Sequence, residues 1–275
     1  MINDVRLRSP LLERADHCSP SVFLPENLLR EARRQKGLPQ GRIPEICLLD
    51  PDGDMVRFIQ RRFAAQRSPY WACYHTDLWE WQSGSTRLGV VGSAVGGAFA
   101  VLVAEQLFVS GCEFLISVAS AGQIAASLPP PCHILIRRAL RDEGTSHHYL
   151  PPSPFADGDP DLLDMCAQAF AGTGHSVLLG ETWTTDAPFR ETAEAIAERR
   201  RDGLLAVEME AAALYAFARL RRQAIVCLAH VTNQLGCVEG DFDKGEANGA
   251  CRSLDLVLAL AEAWRQRKGV QGIPS

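Results

Sequence analysis

Two carboxylates stand close together in Val207-Glu208-Met209-Glu210-Ala211-Ala212-Ala213-Leu214-Tyr215, where a very apolar run meets an alanine-rich one. Acidic residues in the first turn of a helix complement the positive end of its dipole, and that bland use is open to Glu208. Glu210 falls inside an apolar run that should be buried. A buried carboxylate needs hydrogen-bond donors, such as the hydroxyls of a sugar, or a shifted pKa. A second stretch, Gly92-Ser93-Ala94-Val95-Gly96-Gly97, lies between a strand pattern and a helix pattern. Glycines there let the backbone approach a ligand, and the helix N-terminus can receive an anion. The spacing is neither GxGxxG nor the Gly-Lys-Ser/Thr ending of a P-loop, so tight packing of strand on helix is the competing reading.

The elements that must position these residues follow from hydrophobic period. From Ile46 onward, apolar runs of strand length alternate with segments of helical period, the pattern of a β/α order around a largely buried sheet. Strands are expected over 46–49, 88–91, 114–118, 133–136, 176–179, 204–207 and 225–231. Helices are expected over about 97–110, 161–171, 189–201, 209–222 and 253–267. In the fourth of these, Ala211, Leu214, Tyr215 and Ala218 form one apolar stripe, and Arg219, Arg221 and Arg222 suit the C-terminal dipole end. Residues 1–44 lack a strand pattern and are read as an N-terminal extension, with a short helix opening at Pro25 and stopping at Gly37. Residues 45–275 are read as one domain.

The chain has 275 residues, 47% hydrophobic and 22% charged, ample for a sizeable core. Its formal charge of -5 offers no general field for nucleic acid or anionic membrane, so any anionic ligand must be met locally. No apolar stretch reaches the roughly 20 residues of a membrane helix, and the N-terminus lacks the pattern of a secretory signal, so a cytoplasmic location is expected. Nine cysteines, with no Cys-x-x-Cys pair and no His at zinc spacing, indicate neither a disulfide framework nor a metal site. Most are read as small core residues, and Cys237, near a glycine-rich loop, is given no more than a minor prospect of a reactive role.

Val207 to Tyr215 resembles the signature of the nucleoside phosphorylases of the purine/uridine phosphorylase superfamily. Gly53-Asp54-Met55-Val56-Arg57 is similar to that family's Gly-Asp-Pro-x-Arg phosphate loop, with Met55 at the Pro position. Ser120-Ala121-Gly122, the loop Asp142 to Tyr149, and Thr184-Thr185-Asp186 resemble further family segments in the right order, over about residues 45–265. The resemblance implies a three-layer α/β/α fold with a twisted mixed sheet, acting as a homodimer or as a hexamer built as a trimer of dimers. It implies cleavage of a nucleoside's N-glycosidic bond by inorganic phosphate as co-substrate, without a cofactor or metal. Carried over residue by residue, Glu210 meets the ribose hydroxyls with Met209 and Glu208 beside it. Gly53, Arg57, Ser93 and Ser120 hold phosphate, and Thr185, Asp186, Phe189, Arg190 and Asn233 line the base. Phe189 is assigned to stacking on the base and Trp183 to packing. His147 and His148 read either as ligands or as satisfied loop residues.

Three departures bear on the chemistry. Ser117 stands where the family usually has a phosphate arginine, and His75-Thr76-Asp77 stands where a neighbouring subunit commonly lends another. Each lost bidentate contact should weaken phosphate binding by about 1.5–3 kcal/mol. His75, Arg87 or Arg137 are the candidates to compensate, against the reading of each as a surface or structural residue. Asn233 stands where adenosine-cleaving members carry an Asp; an amide hydrogen-bonds a carbonyl but is no general acid, which favours uridine or 6-oxopurine nucleosides. A nucleoside hydrolase of the same fold, and a non-catalytic nucleoside-binding protein, are the alternatives.

Overall fold

The computed structural model describes residues 10–13, 16–235, 239, 241, 242 and 244–271. In chain order the elements are α1 (Pro25–Lys36), β1 (Ile46–Asp50), α2 (Asp54–Phe63), β2 (Gln66–Arg67), β3 (Leu78–Ser83), β4 (Thr86–Gly92), α3 (Gly97–Ser110), β5 (Phe114–Gln123) and β6 (Cys132–Asp142). They continue with β7 (Phe155–Asp157), α4 (Pro160–Ala171), β8 (Val177–Thr185), α5 (Ala193–Arg201), β9 (Ala206–Glu208), α6 (Ala211–Arg221), β10 (Ala224–Asn233) and α7 (Ala250–Gln271).

All ten strands join one mixed sheet. β1 is buried at every position because it lies between parallel neighbours, β4 and β5, with helices over both faces. From β5 the sheet curls round on itself. β5 pairs with β10, β10 with β6, β6 with β8, β8 with β9, and β9 returns to β5, a closed ring of five strands.

Successive side chains along a strand point to opposite faces, and the core divides accordingly. Leu49, Val91, Leu115 and Ile134 belong to the core that holds Leu107 of α3 and Leu214 and Phe217 of α6. Their neighbours Leu48, Val90, Ile116 and Leu135 belong to a second core with Ile59 of α2 and Leu256 and Leu260 of α7. Sheet between two helical layers is therefore the observed architecture, as expected from the sequence.

Several expected elements change on inspection. The strands over 114–118, 133–136 and 176–179 run on to Gln123, Asp142 and Thr185, because polar residues at their C-terminal ends still pair in the ring. β2, β3, β7 and α2 were not expected. The helix expected over 189–201 is a 3₁₀ turn at Pro188–Arg190 followed by α5, whose Thr192 side chain caps the N–H of Ala195. The helix expected from 209 begins at Ala211, and it is buried all round from Ala211 to Phe217 instead of carrying a single stripe. Arg222 ends it in the left-handed region, φ 56°.

Residues ahead of β1 pack against the rest of the chain. Leu29 and Ala32 of α1 pack on Ala72, and Arg33 and Lys36 donate to the carbonyls of Tyr70 and Cys73 at 3.0 and 2.5 Å. His17 Nε2 lies 3.3 Å from the carbonyl of His147. Among the described residues no helix is long and apolar enough to cross a membrane, the cysteines are free, and no His/Cys/Asp/Glu group is arranged to hold a metal. Cys237 lies outside the described residues.

Candidate active site

β9 delivers Glu208 into the protein at the start of α6, and both its oxygens are engaged there. Oε1 accepts the hydroxyls of Thr182 and Thr184 at 3.1 and 2.5 Å. Oε2 accepts the backbone N–H groups of Glu210 and Ala211, both at 2.7 Å. These N–H groups are among the donors that a helix start leaves without an intrahelical partner, so Glu208 serves as the cap of α6. Glu208, expected beside the ribose, has both oxygens engaged by protein donors in this structure.

With its own N–H tied down, Glu210 sits in the N-cap position with a side chain that is 3% exposed. Oε1 accepts the N–H of Gly96 at 2.7 Å, and Oε2 has only a long 3.3 Å contact from the N–H of Met209. Burial, then the charge of Glu208, pushes the Glu210 carboxyl up to about 8, against the pull of those two N–H groups. The charge of Asp52 pushes in the same direction. A carboxylate so short of donors gains most from a ligand that brings hydroxyls.

The glycine loop is how Glu210 obtains its one good donor. Gly96 has φ 88°, and a Cβ on Gly97 would stand 2.8 Å from the Cβ of Ala213. The two readings of this loop thus merge, since close packing of α3 on α6 is what brings the Gly96 N–H to the carboxyl. Gly97→Ala is expected to cost roughly 1–3 kcal/mol by forcing the helices apart, read as a lower urea midpoint. An unchanged midpoint would show that the contact yields freely.

The loop after β1 meets the glycine loop at Ser93. Gly53, φ 77°, is the N-cap of α2, and a Cβ there would meet both Arg57 Nη1 and Ser93 Oγ at 3.1 Å. Arg57 pairs with Asp54 at 2.5 Å and its side chain is 56% exposed. Asp54 also accepts from Lys244 and Asn248 at 2.8 and 3.0 Å. Asp50 accepts the N–H of Val56 at 2.9 Å, and burial raises its carboxyl to about 7. Ser120 gives both its N–H, at 3.0 Å, and its hydroxyl to the same oxygen of Asp52. The structure therefore brings Gly53, Arg57, Ser93 and Ser120 to one edge, with a carboxylate among them.

Ser120 has His230 opposite it in the ring, and His230 has His133 on its other side. The two imidazoles stack with centroids 4.5 Å apart, and His133 Nε2 lies 2.9 Å from Ser253 Oγ. Burial first, with Lys244 beside it, lowers His230 to about 4, and burial and His230 lower His133 to about 3, so both are neutral at pH 7.

The residues expected at the base are less concentrated. The Thr185 hydroxyl accepts the N–H of Ala187 at 3.1 Å, and Asp186 accepts the N–H of Gly144 at 2.8 Å, tying β8 to the loop after β6. Asn233 Oδ1 accepts the N–H of Leu235, 3.0 Å, and its Nδ2 donates to Thr232 Oγ1, 3.2 Å. Phe189 is wholly exposed on its 3₁₀ turn, and Arg190 is exposed with it. No packed surface around the Phe189 ring is preformed in this chain. Trp183 is core, with Nε1 bonded to Asp142 at 2.9 Å.

Ser117 is buried, and Thr76 accepts from Trp71 Nε1 at 3.1 Å, so neither reaches outward. His75 is exposed, edge-on to Phe99 with centroids 6.3 Å apart. Arg87 is held by Glu80 and the carbonyl of Arg42, and Arg137 by Glu181. Burial lowers His147, whose Nδ1 has no hydrogen-bond partner. Sequence reasoning missed Asp52, Lys244, His230 and the buried Arg141. Arg141 holds the 142–154 loop through Ser146, Leu150, Pro151 and Ser153. Asp52 lies beside the quoted phosphate loop, and its acid spacing with Asp50 and Asp54 was the available signal.

A closed five-strand ring extended by an open sheet, with a buried carboxylate at a helix start facing a glycine loop, defines the class to which the chain's motifs already pointed. The sequence matches the profile of the phosphorylase superfamily over residues 47–262, and the chain belongs to that superfamily. It is 26% identical over 233 residues to a guanosine phosphorylase of Halorubrum lacusprofundi, covering 84% of this chain and 87% of that one. A uridine phosphorylase of Thermococcus kodakarensis is 27% identical, with 66% of this chain and 69% of that protein covered. A DeoD-type purine nucleoside phosphorylase of Bacillus cereus is 28% identical, with 65% and 77% covered. Among solved structures, the uridine phosphorylase of Vibrio fischeri complexed with 6-hydroxy-1-naphthoic acid superposes with a TM-score of 0.71 at 17% identity, covering 85% of this chain and 99% of that one.

Proposed function

We propose that the chain is a pentosyltransferase that cleaves the N-glycosidic bond of a nucleoside with inorganic phosphate, releasing free base and (deoxy)ribose 1-phosphate. The observation that carries this reading is Glu210, buried, raised to about 8 and short of donors beside a glycine loop. As the bond to the base breaks, the sugar becomes oxocarbenium-like, and a carboxylate at its hydroxyls together with phosphate stabilises the developing positive charge. The phosphate oxygen bonds to the anomeric carbon, the bonding pair leaves with the base, and the base takes a proton. Met209 packs under the sugar, Gly53, Arg57, Ser93 and Ser120 receive phosphate, and Thr185, Asp186 and the Asn233 amide meet the base. Asn233, and relatives named guanosine and uridine phosphorylase, support uridine or a 6-oxopurine nucleoside as substrate. The enzyme works without cofactor, in the cytoplasm, in nucleoside salvage, as a homodimer or trimer of dimers in which His75 of one subunit approaches the neighbouring site.

Hydrolysis is the second reading, favoured by one observation: Asp52 holds both donors of Ser120. Release of free base from uridine, thymidine, inosine, guanosine and adenosine, each with and without phosphate, tests both. Phosphate-dependent release with sugar 1-phosphate formed is the expected result. Equal release without phosphate establishes hydrolysis, and no release across the panel leaves a nucleoside-binding protein.

A further inference from the structure

We infer that Asp52 selects the acceptor at this site: its carboxylate is a built-in competitor for phosphate, and phosphate binds only where Asp52 gives up Ser120. The inference rests on the glycosidic-cleavage reading above and adds to it the residue that decides between phosphate and water.

The geometry is that of an occupied anion cradle. One oxygen of Asp52, Oδ2, accepts both the N–H and the hydroxyl of Ser120, and Lys244 Nζ lies 3.6 Å from the same oxygen. Paired backbone and hydroxyl donors with a cation nearby are what a phosphate oxygen would use, and here a carboxylate has them. The cleft bounded by Asp52, Ser120 and His230 measures only about 10 Å³, room for at most about one water. Asp54 adds a second negative charge, already drawing on Arg57 and Lys244. An incoming phosphate therefore meets like charge and donors already in use. Ser117 supplies no guanidinium to offset this.

The other oxygen of Asp52, Oδ1, has no hydrogen-bond partner among the described residues. While Asp52 stays on Ser120, water is the acceptor. The water oxygen bonds to the anomeric carbon, the bond to the base breaks with its electron pair on the base, and the water's proton passes to Asp52. The base takes a proton from solvent, and the products are free sugar and free base. When phosphate displaces Asp52, the same bond breaks toward sugar 1-phosphate.

Asp52→Gly removes the carboxylate, and Asp52→Asn keeps its shape without its charge. Inorganic phosphate binding to each full-length protein is measured by titration calorimetry, beside base release with and without phosphate. Asp52→Gly is expected to bind phosphate at least about ten times more tightly than the unaltered chain and to lose most of whatever phosphate-independent release that chain shows, with Asp52→Asn moving both the same way by less. Equal or weaker phosphate binding by both variants, with melting curves showing them folded, overturns the inference. Tighter phosphate binding with no base released by any of the three proteins upholds the role of Asp52 and rejects the nucleoside reading instead.

Discussion

Glu210→Gln is expected to lower nucleoside cleavage by roughly 10²–10³-fold, the scale of losing one preorganised electrostatic contact to the transition state, while making the fold more stable in mild alkali. The carboxyl is raised from its ordinary 4.5 to about 8 by burial and by Glu208. The folded chain thus keeps a proton that the unfolded chain releases. This group's stabilising contribution is complete below 4.5 and is lost as pH rises through about 8, at most about 1.4 kcal/mol for each pH unit. Gln is neutral throughout and escapes that loss. Thermal melts at pH 5, 7 and 8.5 should show the variant gaining on the unaltered chain as pH rises, and parallel declines would contradict the assigned environment. The free enzyme must ionise this carboxyl for turnover, so kcat/KM should climb with pH through a midpoint near 8 and level off above it, and the variant should lack that limb. A binding module would lose affinity alone, and turnover equal to that of the unaltered chain would refute the site.

Glu208→Ala is expected to be the most destabilising change at the site, by about 3–5 kcal/mol, and to abolish activity as a consequence. It strands the N–H groups of Glu210 and Ala211 and the hydroxyls of Thr182 and Thr184 in the interior. A buried donor left without an acceptor costs about 1–3 kcal/mol, and loss of a helix cap costs about 1. Glu208→Gln keeps one acceptor oxygen and should lose less, about 1–2 kcal/mol. Urea unfolding gives both numbers, and an alanine variant within about 1 kcal/mol of the unaltered chain would mean that α6 is capped by other means. The two glutamates separate by this test, since Glu210→Gln acts on turnover and Glu208→Ala on the fold that presents Glu210.

The parts of this protein legible in sequence are those where environment is uniform along the chain. β1, β4 and the first halves of β5, β6 and β10 are buried on both faces and read as unbroken apolar runs. α3 was bounded correctly because Gly96 and Gly111 punctuate it. That Glu210 is special was also readable, as a carboxylate in an apolar run. The polar end of β8, Thr182 to Thr185, is not readable as strand, since the hydroxyls of Thr182 and Thr184 are buried against Glu208 in a way that no period reports. α2 is not legible in sequence because its N-cap, Gly53, supplies no side-chain cap to mark a helix start.

Residue order by itself determined the alternation of strand and helix, the two-sided core, the motif order of the superfamily, and the presence of a carboxylate that would want hydroxyl donors. Only the tertiary structure decided that β10 closes the ring on β5 and β6, that Glu208 caps while Glu210 faces the glycine loop, and that Asp52 rests on Ser120. The last pair is 68 residues apart, and Gly96 and Glu210 are 114 apart. Periodicity and turn chemistry act over a few residues, whereas these contacts exist because strand pairing sets β1 beside β5 and because α3 packs against α6. The identity of each group's hydrogen-bond partner is a property of that pairing, and with it the division of labour among carboxylates that are chemically alike.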